Sequence, residues 1–112
     1  MAALLLKKEE RAYNTYAAFM DRMEIQGIHF ELLTNYRDAW NPDAFKKRYS
    51  EILNKYDFIV GDWGYGQLRL KGFFRDQHIR ATPETKISYL EEYLNEFCNF
   101  GCAYFVLKRI PN

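Results

Sequence analysis

Three groups of side chains have the types and spacing to do chemistry. Cys98 and Cys102 lie four residues apart across a helix end and read as a metal half-site or a redox pair. A closed zinc site takes four ligands, and the remaining soft partners, His29 and His78, come from distant segments. The spacing is also not the CxxC of redox motifs. Two small buried side chains at a helix–strand junction account for both thiols. Asp62 and His78 form the second group, flanking a hairpin and a loop, and would suit general acid–base work with a third partner. No nucleophile motif or paired carboxylates accompany them, and Gly64 and Gly66 lack the third glycine and following helix of a dinucleotide loop. Asp62 is therefore read as a turn residue whose carboxylate accepts from turn N–H groups, and His78 as a solvated loop residue.

The third group is basic and aromatic. Arg69 and Lys71 project from one strand face, with Arg75 and Arg80 following and Trp63, Tyr65 and Phe73 on the same hairpin. Cations beside aromatics on a sheet hold phosphates and stack unpaired bases. Asp57, Asp62 and Asp76 weaken the local positive field. The candidate contact surface is thus the 56–80 hairpin and loop, with Trp63, Tyr65, Arg69, Lys71, Arg75 and Arg80 as its binding residues. The ligand class this implies is RNA or a ribonucleoprotein. The alternative is a protein-interaction or adaptor domain, or a homodimer, because the aromatic content is large for so small a core and leaves Tyr and Trp for an interface. No catalytic residue, metal or cofactor is assigned.

The chain that must position these groups has 112 residues, enough for one modest core. Its net charge of +1 gives no global field toward nucleic acid or membrane, so any basic patch is local. No stretch is long and apolar enough to span a bilayer, and Met1 to Glu10 lacks the charged lead and cleavage site of a signal peptide. A cytoplasmic protein is expected, with both cysteines reduced.

Residues 1–22 read as an N-terminal helical extension, with Tyr13, Tyr16 and Met20 at helical spacing. Residues 23–112 form the domain. Met23 and Ile25, the turn Gln26-Gly27, then Ile28, Phe30 and Leu32 predict a first hairpin. Asn41-Pro42-Asp43 is a helix start, with a side-chain cap, a proline at the first position and an acid at the dipole's positive end. One stripe follows through Phe45, Tyr49, Ile52, Leu53 and Tyr56. Phe58-Ile59-Val60 predicts a strand covered on both faces. Gly64-Tyr65-Gly66 supplies a turn, and Leu68 and Leu70 point inward on the next strand. Thr82-Pro83-Glu84 repeats the helix-start pattern, Gly101 ends that helix, and Tyr104 to Leu107 is a last, central strand. The fold class is α+β: a single small domain with a mainly antiparallel sheet of about five strands, two core helices mainly on one face, and the N-terminal helical extension.

The stretch Asn41 to Phe74, with Val60-Gly61-Asp62-Trp63-Gly64-Tyr65 at its centre, resembles the YutD-like family of small proteins from Gram-positive bacteria. So does Cys98-Asn99-Phe100-Gly101-Cys102-Ala103-Tyr104-Phe105-Val106-Leu107-Lys108. The resemblance covers about residues 24 to 109 and makes the first 20 residues an addition to the family's core. It implies a bacterial cytoplasmic source and carries no functional role onto any numbered position.

Overall fold

Two tight turns set the register of the sheet. Gln26-Gly27 and Tyr65-Gly66 each have positive φ at both positions (53° and 79°, 54° and 75°), the mirror-image turn that matches the twist of paired strands. The first joins β1 (Arg22–Ile25) to β2 (Ile28–Tyr36). The second joins β3 (Phe58–Gly64) to β4 (Gln67–Phe73). The last strand, β5 (Tyr104–Ile110), inserts between the hairpins, giving the antiparallel order β1-β2-β5-β3-β4. The computed structural model describes residues 22–97 and 101–111. The helical extension expected over 1–22 lies outside these, except Arg22, which opens β1.

Alternate residues of β3 face opposite sides, and both sides are covered. On the first face Ile59 packs with Phe30, Leu32, Leu68, Phe105 and Leu107 under Phe45 and Leu53. Phe45 belongs to α1 (Pro42–Arg48), whose cap Asn41 accepts from the Ala44 N–H as its sequence predicts. On the second face Phe58, Val60, Phe73 and Val106 pack against Leu90 and Tyr93 of α2 (Leu90–Phe97). The expectation of helices mainly on one face is corrected: one helix covers each face. The apolar run of β3 requires this, because whichever face lacked a helix would expose either Ile59 or Phe58 and Val60.

Two helix boundaries also differ from expectation. The stripe from Phe45 to Tyr56 is not one helix. Tyr49 is extended (ψ 139°), and Ser50 caps a separate 3-10 turn over Glu51–Lys55. The break leaves Ile52 72% exposed, outside the stripe assigned to it. Thr82-Pro83 does not start the second helix. Residues 82–85 form a turn closed by the Thr85 and Lys86 N–H groups on the Thr82 carbonyl. The chain then bridges to Phe74, whose N–H donates to Thr85 and whose carbonyl accepts from Ile87. That pairing holds the segment extended, and a 3-10 turn over Ile87–Tyr89 leads into α2.

Gly61 serves packing. A Cβ there would overlap the Phe105 ring on the neighbouring strand, so glycine lets that buried ring cross β3.

Candidate functional site

The β3–β4 hairpin does not present its candidate residues on one surface. Gly64 pairs with Gln67 across the turn, so Trp63 stands opposite Leu68 and Asp62 opposite Arg69. Trp63 therefore lies on the first face, packed against the core there, with its indole N–H donating to the Ala39 carbonyl at 2.8 Å. It is a half-buried core residue, not an open stacking platform. Arg69 and Lys71 point to the second face, the one that α2 covers.

Arg69 is consumed by structure. Its Nε and Nη2 donate to Oδ1 of Asp62 at 2.9 and 2.5 Å, and Nη2 also donates to the Phe97 carbonyl at 2.7 Å. Asp62 is fully buried, and its other oxygen accepts from the Tyr93 hydroxyl at 2.9 Å. The turn role expected for Asp62 is thereby corrected: it sits inside β3 and clamps α2 to the sheet. Burial, and then the facing Asp62 carboxylate, push the Tyr93 phenol well above the usual tyrosine range. The hydrogen bond that Arg69 donates to Asp62 raises its pKa and holds it charged. His78 plays no part here. Its ring stacks on Phe74 at 4.3 Å, and its Nδ1 accepts from the Arg80 N–H.

Lys71 is half-buried, its ammonium 5.2 Å from the Phe73 ring centre, and desolvation lowers its pKa. Tyr65 is at the hairpin tip, fully exposed. Arg75 and Arg80 follow the far end of β4. A seven-residue strand separates them from Tyr65, roughly 20 Å at strand rise. The six candidates thus divide into an exposed tyrosine at the tip, a half-buried core tryptophan, an arginine bonded to Asp62 beside a half-buried lysine, and a basic far end.

At that far end the structure assembles residues that the sequence reading did not group. Asp57 precedes β3 and is 18% exposed. One of its oxygens, Oδ2, accepts from the Arg75 backbone N–H at 2.8 Å and stands 3.8 Å from Arg75 Nε. Oδ1 stands 3.9 Å from Nη2 of Arg109, whose Nη1 donates to the Asn54 carbonyl. Asp57, Phe58, Arg75, Lys108, Arg109 and Pro111 line an open cleft of about 280 Å³. Only register exposes this group, because Phe58 pairs with both Phe73 and Lys108. Register would also have found the interior pair, since a two-residue turn at 65–66 sets position 62 against 69.

The reduced thiol expected at Cys102 is corrected as well: Cys102 is disulfide-bonded. Cys98 lies outside the described residues. Among the described residues, no helix is long and apolar enough to cross a membrane.

Comparison with known proteins adds three findings. Residues 24–108 match the model of a family described as "Putative antitoxin YutD-like". A protein of Bacillus subtilis (strain 168) named "Putative antitoxin YutD" is 72% identical over 86 residues, covering 77% of this chain and 94% of that one. The solution NMR structure of the B. subtilis protein yutD is similar at a TM-score of 0.69 and 68% identity, over 81% of this chain and 83% of that one.

Proposed function

This chain belongs to the YutD-like family, and from that premise we propose that it is a small binding module that recognises a protein partner through the tip of the β3–β4 hairpin. Tyr65 carries the reading. It is fully exposed, at a φ of 54°, in a turn position that Asn or Asp fills most easily. A bulky side chain in left-handed backbone costs on the order of 1 kcal/mol. Among the described residues its ring makes no aromatic contact or hydrogen bond that offsets this. Exposed tyrosine on a rigid turn is the usual material of a binding anchor, and strain held without local return points to function. The word antitoxin in the relative's name is in keeping with a partner to be bound.

The second reading, RNA or a ribonucleoprotein, draws on Arg75 and Arg80 at the other end of β4 and on Lys71 beside it. It is the weaker one because Arg69 is bonded to Asp62 and Trp63 to Ala39.

The two are separated by a partner captured on the full chain, purified and titrated against variants. Tyr65→Ala and Tyr65→Asn should each weaken binding about 30-fold, the loss of one anchor worth about 2 kcal/mol. Tyr65→Asn should at the same time raise the melting temperature, since it relieves the turn. Unchanged affinity in both variants would overturn the reading. A steep salt dependence that is lost in Arg75→Gln with Arg80→Gln would replace it with the RNA reading.

A further inference from the structure

We propose that the cleft lined by Asp57, Arg75, Lys108 and Arg109 is a binding site for a dianionic phosphate group, of the kind carried by a phosphomonoester. Two arginines face one carboxylate there, and Lys108 lines the same cleft. After Asp57 is counted, two positive charges remain. A phosphomonoester carries about −1.5 to −2 at neutral pH, so it matches this surplus, whereas each diester of a polynucleotide carries one charge and asks for a row of cations.

The geometry divides the work among the residues. Asp57 is a positioning residue. Its Oδ2 holds the backbone of Arg75 and its Oδ1 faces Arg109, so it gathers two guanidinium groups at one place. Arg109 is fixed from behind by the Asn54 carbonyl and is only about one-third exposed. Arg75 remains 64% exposed, and among the described residues its terminal nitrogens donate to nothing. Lys108 is exposed opposite Phe58. Arg75 and Lys108 thus supply free donors, Arg109 a fixed one, and charge-assisted bonds from such a set are the strong kind. Phe58 also lines the cleft, and about 280 Å³ admits a phosphate with a small organic group attached. The site lies at the far end of β4 from Tyr65 and is independent of the hairpin tip.

The test titrates the full chain with inorganic phosphate, a 5′-mononucleotide, the matching nucleoside, and a short oligonucleotide without terminal phosphate, reading amide shifts and heat. Inorganic phosphate and the mononucleotide should bind saturably at millimolar concentration or below and shift the amides of Arg75 and Arg109. The nucleoside should not. Arg75→Gln with Lys108→Gln should weaken phosphate binding at least about tenfold, as loss of two charge-assisted contacts requires. Both side chains are exposed, so the variant should stay folded and melt within about 5 °C of wild type, and Tyr65→Ala should leave phosphate binding intact. Equal binding of nucleoside and mononucleotide would overturn the proposal, as would no saturable response or an unaffected double variant. Tighter binding of the unphosphorylated oligonucleotide, lost in the same variant, would assign the cleft to a nucleic-acid backbone instead.

Discussion

Asp57 lies just before β3 and Asp62 inside it, and each meets an arginine, Arg75 just after β4 and Arg69 within it. Their environments differ almost completely. Asp62 is sealed under α2 and has both oxygens occupied, by Arg69 and by Tyr93. Asp57 stands at the mouth of a cleft, and its contacts to the guanidinium groups are long, 3.8 and 3.9 Å. A buried carboxylate must be fully paired or it is very costly, so Asp62 holds Arg69 by two short hydrogen bonds. An accessible one leaves its cations partly free. The presence of an arginine on a strand therefore says little about binding. What decides is whether a helix closes over the pair.

The largest expected effect tests that distinction directly. Arg69→Met should leave Asp62 charged and buried without its counter-ion. Breaking a buried pair this way costs about 3–5 kcal/mol. Arg69 is nearly half exposed, so the lower end of that range applies, a fall of more than about 10 °C in melting temperature for a domain this size. Arg75→Met should cost under about 1 kcal/mol, as accessible pairs do. Equal losses in the two variants, measured by thermal unfolding, would break the comparison.

Much of this frame is legible in the sequence, and the parts that are not have physical reasons. The turns at 26–27 and 65–66 and the cap at Asn41 are local chemistry, so they read directly. The helix after Pro42 is over-read because Tyr49 and Leu53 keep helical spacing although Ser50 recaps the chain between them. Thr82-Pro83 is a valid helix start on propensity alone, and it is the bridge to Phe74, a tertiary contact, that wins. Asp62 is misread because an acid among glycines looks like turn material, while its position in phase with Phe58 and Val60 places it on a covered face. The cleft was invisible because Asp57, Arg75 and Arg109 are brought together only by the insertion of β5 beside β3.

A smaller effect sharpens the same contrast through pH. Tyr93→Phe removes the donor to Oδ2 of Asp62 and should cost about 1 kcal/mol near neutrality. The folded Tyr93 phenol is raised above the ordinary value of 10, first by burial and then by Asp62. The unfolded tyrosine therefore loses its proton first as pH rises, and the unfolded state binds fewer protons than the native one. Stability from this group is complete below pH 10 and declines above it. Lys71 acts in the opposite sense: its folded pKa is depressed by desolvation, so its penalty eases as pH rises toward its unfolded value. Because Lys71 is common to both proteins, the difference between wild type and Tyr93→Phe isolates the phenol. That difference should be constant from pH 7 to about 9 and shrink above 10. A gap that stays level through pH 11 would mean that the Tyr93 proton is not held by Asp62, and the buried cluster would then differ from the open one only in exposure.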